Sequence, residues 1–280
     1  MGLAVYMGVV LVFSSIQERL IFPGAFYKQP RKRLMADHQE LVHLITPGGE
    51  KTVLMFSRTQ VADPGTAPTI LIFYGNGMHL SDCLQIMARF NGMGVNAATV
   101  DYVGYGLASG KPSEAGCYDA AEAAWRHIRS RGDIRQDQLF VGGWSLGGAM
   151  ATRIAATHDG EMRGVVLLCS FTSMADVAKQ SKPFLPIDLI LKHRFESAAN
   201  LRRTTVPVYL AHGTADEVVP SKMSPALAKV AEGRSTLVMV HGAGHNNFFD
   251  RGWDTIEPGL QEWVRKTLTA SAVGTTIPAR

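Results

Sequence analysis

The heptapeptide Gly142-Gly143-Trp144-Ser145-Leu146-Gly147-Gly148 decides how the rest of the chain is read. It sets a serine between small residues where an apolar run, Gln138-Leu139-Phe140-Val141, gives way to the small-residue helical pattern Ala149-Met150-Ala151-Thr152-Arg153-Ile154-Ala155-Ala156. A residue on so sharp a strand-to-helix turn has strained backbone angles. Gly143 and Gly147, two positions to either side, let strand and helix pass closely. The turn lifts the Ser145 hydroxyl clear of the sheet and aims the first N–H groups of the helix at the space above it.

Outward from this elbow, short apolar runs bounded by glycine or proline alternate with longer helical patterns, which predicts βα units and a mostly parallel sheet. His43–Ile45 and Thr52–Phe56 lack a helix between them and read as an antiparallel entry hairpin turning at Pro47-Gly48-Gly49. Six further strands are expected at Thr69–Tyr74, Val95–Val100, Leu139–Val141, Gly164–Leu168, Val206–Leu210 and Thr236–Val240, about eight in all. Helices are expected around 79–91, 114–131, 146–158, 225–231 and 253–268. In such a sheet functional residues lie at the carboxyl ends of strands. The stretch 174–200 breaks the alternation: it carries Pro183, Pro186 and the apolar set Phe184, Leu185, Ile187, Leu189, Ile190 and Leu191. It reads either as a small cap lining an acyl pocket or as a core helix on a face of the sheet.

A serine hydroxyl is a weak nucleophile at neutral pH, so it needs a base, and the base needs an orienting carboxylate. After the strand ending at Leu210 comes His212-Gly213-Thr214-Ala215-Asp216-Glu217-Val218-Val219-Pro220, and after the strand ending at Val240 comes Gly242-Ala243-Gly244-His245. The chain order is therefore Ser145, Asp216, His245. Asp216 is preferred to Glu217 because it follows the strand by a short turn and precedes an apolar pair that folds back into the core, leaving the adjacent acid pointing outwards. His245 sits in a loop with two glycines that can present an imidazole, whereas His241 and His212 read as structural. For an oxyanion hole, the Leu146 N–H supplies one donor and the Asn76 N–H, in Gly75-Asn76-Gly77 after Phe73-Tyr74, the second, with Gly77 as the neighbour that can substitute.

Composition narrows the alternatives. At 280 residues with 46% hydrophobic and 19% charged residues, the chain suits one large α/β domain. The formal charge of +4, with basic clusters at Arg31-Lys32-Arg33 and Arg202-Arg203, is not accompanied by interleaved aromatics or a groove-reading motif, so no nucleic-acid partner is expected. No metal cluster, phosphate loop or cofactor motif is read, so cofactors are expected to be none. Cys83, Cys117 and Cys169 read as free thiols in or near the core. Residues 2–16 are almost wholly apolar but are interrupted by Gln17-Glu18-Arg19 short of the ~20 residues that cross a bilayer. This segment reads as a short anchor, an uncleaved signal-like segment or a core-packing helix. Membrane association is favoured over a cytoplasmic location, since an exposed apolar run of this length is an aggregation liability.

Taken together these pieces resemble the alpha/beta-hydrolase family, within it the small single-domain branch of membrane-linked serine hydrolases and depalmitoylating thioesterases, over nearly the whole chain. Besides the elbow, the resemblance rests on Asp101-Tyr102-Val103-Gly104-Tyr105-Gly106 followed by Ser109-Gly110-Lys111-Pro112-Ser113-Glu114, on Phe195-Glu196-Ser197 leading into Pro207-Val208, and on Arg19-Leu20-Ile21-Phe22-Pro23. It implies an alpha/beta-hydrolase fold with an apolar segment over 1–24 and a catalytic domain over 25–280 carrying a short cap at 174–200. It also implies a serine hydrolase acting on the ester or thioester of a small or acylated substrate. Asp101 and Tyr102 read as structural supports. Two departures stand out: Tyr74 occupies the position where the family usually has histidine, and Val103 replaces the usual arginine. The same residues suit a serine aminopeptidase, which needs an acid near the pocket to bind a free amine. From another class comes a binding protein with a vestigial site, against which the intact triad argues.

Overall fold

The computed structural model describes residues 2–27 and 36–270; the basic cluster at Arg31-Lys32-Arg33 lies outside them. The strands are β1 (Gln39–Ile45), β2 (Lys51–Ser57), β3 (Thr69–Phe73), β4 (Asn96–Val100), β5 (Leu139–Trp144), β6 (Gly164–Leu168), β7 (Val208–Gly213) and β8 (Ser235–Val240). They form one sheet in the order β1-β2-β4-β3-β5-β6-β7-β8. β1 pairs antiparallel with β2 and β2 with β4, and the rest of the sheet is parallel. Every residue of β3, β4 and β6 is buried, as parallel strands covered on both faces require.

The helices are α1 (Gly2–Ile21), α2 (Leu80–Gly92), α3 (Glu114–Ser130), α4 (Gly147–Thr157), α5 (Met174–Ser181), α6 (Ile187–Ile190), α7 (Ser197–Leu201), α8 (Met223–Val230), α9 (Phe248–Arg251) and α10 (Trp253–Ala270). The five helices expected from the sequence are present as α2, α3, α4, α8 and α10. The region 174–200 holds α5, α6 and the start of α7 rather than one continuous helix. Its prolines explain the break, since Pro183 and Pro186 each lack the N–H that would continue α5. The Glu114 carboxylate accepts the Arg194 N–H at 2.7 Å and the Phe195 N–H at 2.9 Å, pinning the end of this region to the start of α3. Cys83, Cys117 and Cys169 are all buried and unpaired.

Strand order places the site. From β3 the chain winds one way to β4, then returns past β3 to β5 and continues to β8, so the winding reverses between β3 and β5. Such a reversal opens a crevice beyond the carboxyl ends of the two strands. Here those ends are Phe73, leading to Asn76, and Trp144, leading to Ser145, with Phe73 opposite Gly143 in register.

Candidate active site

Ser145 follows β5 with φ of +55°, in the left-handed region that a side chain rarely occupies. Its N–H donates to Leu168 O at 2.9 Å and its carbonyl accepts from Gly148 N at 3.0 Å, so the strained turn is held from both sides. A Cβ on Gly143 would lie 2.1 Å from the Gly147 carbonyl, and one on Gly147 would lie 2.0 Å from Phe73 O. The two glycines are therefore required by the closeness of α4 to β5 and β3.

Asn76, Ser145 and Leu146 share the wall of one cavity of about 270 Å³. In the described residues neither the Asn76 N–H nor the Leu146 N–H donates to a protein acceptor, so both are free to bind an anionic oxygen. The loop bearing Asn76 is braced from three directions. Asn76 O accepts from Tyr105 Oη and from Gly24 N, each at 3.0 Å. Tyr102 Oη donates to Tyr74 O at 2.8 Å. Tyr74 Oη donates to Asp101 Oδ1 at 2.9 Å and accepts from Tyr102 N at 3.1 Å. Asp101 also accepts from Leu80 N and Leu107 N, and burial raises its pKa more than these bonds lower it. Tyr74 thus forms the centre of the brace, and Asp101 and Tyr102 are supports.

Asp216 and His245 meet. His245 Nδ1 lies 2.7 Å from Asp216 Oδ2, and the carboxylate is fully shielded from solvent. Asp216 Oδ1 accepts the Val218 and Val219 N–H groups at 2.9 and 2.7 Å, while His212 Nε2 lies 3.0 Å from Oδ2. Burial alone would raise this carboxyl, but hydrogen bonds from His212 and His245 outweigh it and hold it well below the usual carboxylate range. With Asp216 accepting at Nδ1, the His245 Nε2 lone pair is left open. The ring stacks on Trp144, centroids 5.1 Å apart at 26°, next to Ser145. No hydrogen bond joins Ser145 Oγ to the imidazole among the described residues. His241 is exposed and lacks a side-chain hydrogen bond there. Glu217 is exposed but not turned away: its Oε2 accepts the His245 N–H at 3.3 Å.

Cys169, His212 and Asp216 bring a sulfur, a nitrogen and an oxygen within 4.8 Å of one another. As a donor set for a metal they fit poorly. Burial pushes the Cys169 thiol up and keeps it protonated. His212 Nδ1 lies 2.7 Å from Ser224 Oγ, and Nε2 faces both Val219 O and Asp216, so Nε2 carries the hydrogen and neither nitrogen offers a free lone pair. The group is a buried support for Asp216.

Comparison with known proteins bears on the family and the fold. The family model described as hydrolase 4, serine aminopeptidase S33, matches residues 65–195. An uncharacterized protein of Mycobacterium tuberculosis is 29% identical over 241 residues, covering 86% of this chain and 84% of that protein. Alpha/beta hydrolase domain-containing protein 17B of Homo sapiens is 32% identical over 207 residues, covering 72% of this chain and 67% of the relative. The chain belongs to the alpha/beta-hydrolase family. An esterase of Pyrococcus furiosus shares the alpha/beta-hydrolase fold with a TM-score of 0.64 at 14% identity, over 87% of this chain and 99% of its own. The chain is accordingly a hydrolase.

Several residues around the site were not legible as such in the sequence. Trp144 sat in the quoted elbow without a role, His212 read as structural with no link to Asp216, and α1 gave no sign that Phe13, Gln17, Leu20 and Ile21 form one wall of the cavity.

Proposed function

We propose that this hydrolase cleaves carboxylic esters or thioesters through a covalent acyl-serine. The observation that carries the reading is the cavity itself: a mainly apolar recess with Ser145, Asn76 and Leu146 in its wall, beside a shielded Asp216–His245 pair. A volume of about 270 Å³ lies at the small end of ligand sites and suits an acyl group better than a polymer.

In this reading Ser145 Oγ attacks the carbonyl carbon while His245 Nε2 takes its proton, and Asp216 orients the ring and stabilises the imidazolium. The contact between Oγ and Nε2 closes as substrate binds, the usual tightening on passing from a free to an occupied site. Asn76 and Leu146 N–H groups hold the oxyanion. Collapse of the intermediate breaks the ester or thioester bond, and the leaving alcohol or thiol receives the proton from His245. Water, deprotonated by the same nitrogen, then attacks the acyl-serine, releasing the acid and restoring Ser145.

An aminopeptidase reading fits less well, because the described wall of the cavity holds Lys182 and Gln17 but no carboxylate to receive a free ammonium group. Labelling by a fluorophosphonate probe in wild type and Ser145→Ala, followed by a panel of p-nitrophenyl esters, acyl thioesters and aminoacyl anilides, tests the proposal. We expect labelling only of wild type and turnover of esters or thioesters over anilides. Equal labelling of both proteins removes Ser145 as nucleophile, no labelling of either favours a vestigial site, and faster anilide turnover restores the aminopeptidase. Loss of turnover in His241→Ala but not in His245→Ala overturns the choice of base.

A further inference from the structure

Helix α1 is long and apolar enough, by length and composition, to cross a membrane, yet it lies along the body of the protein. Val10, Gln17 and Ile21 are buried, Phe13 packs against the core, and Tyr6 Oη donates to Phe184 O at 3.1 Å. These positions form a single stripe down four turns of helix. Gln17 locks the stripe in place: its Nε2 donates to Ile190 O at 3.1 Å, and its Oε1 accepts the Lys192 N–H at 2.9 Å. Beyond the helix, Phe22 is fully buried, and Gly24 abuts Tyr105 and the Asn76 carbonyl. Helix α1 is thereby joined both to the cap and to the loop that carries the candidate oxyanion donor.

Most of the rest of its surface is apolar and uncovered, the exposed polar residues Ser15, Glu18 and Arg19 lying in its last two turns. Leu3, Val5, Met7, Leu11, Val12 and Ile16 are 41% to 76% exposed, and beside them Phe184 and Leu189, at the tip of the cap, are 59% and 86% exposed. So continuous an apolar face calls for a partner. Its edge is cationic. Arg19, Lys182 and Lys192 are exposed and pair with no carboxylate among the described residues, against one acid on the helix, Glu18. That combination matches an anionic lipid surface.

The stripe also decides how the helix meets the bilayer. Spanning would carry the Tyr6 end through a hydrocarbon core of about 30 Å. The cap, docked along the stripe, would follow with Lys182 and Asp188, or else Gln17, Ile190 and Lys192 would lose their buried hydrogen bonds; either is costly. We propose that α1 and the tip of the cap form one docking surface, which embeds in a single leaflet of an anionic bilayer without crossing it and sets the Ser145 cavity against the lipid. The cavity wall is shared between Phe13 and Leu20 of α1 and Val177 and Leu191 of the cap region, so the cavity lies between the two elements that form that surface. An acyl chain anchored in the leaflet then enters without passing through water. This last step rests on the ester or thioester reading; the docking does not.

Flotation of the purified full chain with phosphatidylcholine vesicles, with and without phosphatidylglycerol, tests the docking. We expect co-flotation, several-fold stronger with the anionic lipid. Leu11→Glu and Leu189→Glu should each weaken it on the order of tenfold, the effect of one apolar side chain no longer inserting. An environment-sensitive fluorophore attached at Leu3→Cys, and separately at Leu189→Cys, should shift to the blue with vesicles in both cases, since the three natural cysteines are buried. A blue shift at position 3 alone, with Leu189→Glu floating like wild type, means a spanning helix and overturns the proposal. So does a concentration-dependent dimer that Leu11→Glu dissociates while wild type ignores vesicles, which assigns the face to a second copy of the chain. Ser145→Ala is expected to float like wild type, which keeps a failure of docking distinct from a failure of the hydrolytic reading.

Discussion

Ser145→Gly should leave the protein at least as stable as Ser145→Ala, the reverse of what glycine does at an ordinary buried position. Ser145 stands at φ +55°. A left-handed backbone costs an L-residue roughly 1–2 kcal/mol, and glycine removes that cost. Against this, glycine adds backbone freedom to the unfolded chain, roughly 0.5–1 kcal/mol relative to alanine. The missing Cβ takes little with it, because the side chain borders a cavity and makes no hydrogen bond among the described residues. The balance favours glycine by about 0.5 kcal/mol. At Ala151, fully buried inside α4, the same alanine-to-glycine change loses both the methyl contact and the backbone entropy, about 1.5 kcal/mol. Urea unfolding of Ser145→Gly, Ser145→Ala and Ala151→Gly at pH 7 measures this. The heat midpoint is less sensitive for a chain of this size, about 2 °C per kcal/mol. If Ser145→Gly falls below Ser145→Ala by the margin that Ala151→Gly loses against wild type, the turn stores no strain and the account of the elbow is wrong.

Other perturbations probe the groups around the serine. Asp216→Asn should lower kcat on ester substrates by ~10³ to 10⁴, because an amide nitrogen facing His245 Nδ1 forces the tautomer whose Nε2 carries a hydrogen; steady-state kinetics with unchanged circular dichroism checks it. Asp216 also links stability to pH: its folded pKa lies below the unfolded value near 4, so its contribution is fully present above pH ~4 and is lost as pH falls further. The gap in urea stability between wild type and Asp216→Asn should therefore narrow between pH 5 and pH 3, and a gap that widens refutes the assignment. Tyr74→Phe strips a donor from Asp101 and leaves the Tyr102 N–H buried without an acceptor, so urea melts should show a loss of about 2 kcal/mol. Because this brace holds the Asn76 loop, the same variant should lose kcat in preference to KM.

The strand pattern could be read because parallel strands buried on both faces are short apolar runs, and each one here is punctuated by glycine or proline. The elbow was legible for a steric reason: an approach of about 2 Å between a would-be Cβ and backbone admits only glycine at 143 and 147. Asp216 and His245 followed from chain order and from turn residues that project a side chain beyond a strand. Helix α1 was harder. It is apolar on nearly every side, so periodicity cannot say which face docks, and the deciding residue is Gln17, whose amide bonds to backbone 173 and 175 positions away. The helices α6 and α7 are four and five residues long, too short to leave a 3.6-residue signature. The tie from His212 to Asp216 depends on how a loop folds back over four residues, which residue type alone does not encode.

The departure at Tyr74 shows how one site keeps its geometry while changing its parts. A histidine there would offer a nitrogen near the strand end. The longer tyrosine instead reaches Asp101, and the carboxylate in turn holds the Leu80 N–H at the start of α2 and the Leu107 N–H in the next loop. Asp101 does this while shielded from solvent, and burial raises its pKa more than the three hydrogen bonds lower it. The Tyr74 ring packs against Tyr102 in a tilted arrangement, centroids 4.4 Å apart at 42°, and the Tyr102 hydroxyl returns to the Tyr74 carbonyl, so the two side chains close a cycle beneath the Asn76 loop. A donor fixed in this way needs no rearrangement when charge develops on a bound oxygen, which is the condition under which backbone N–H groups stabilise an oxyanion most strongly. Gly24 completes the cycle from the far side by bonding the Asn76 carbonyl, so the segment that follows α1 is part of the same rigid unit. Whatever surface holds α1 therefore also bears, through three residues of chain, on the loop that would hold the oxyanion.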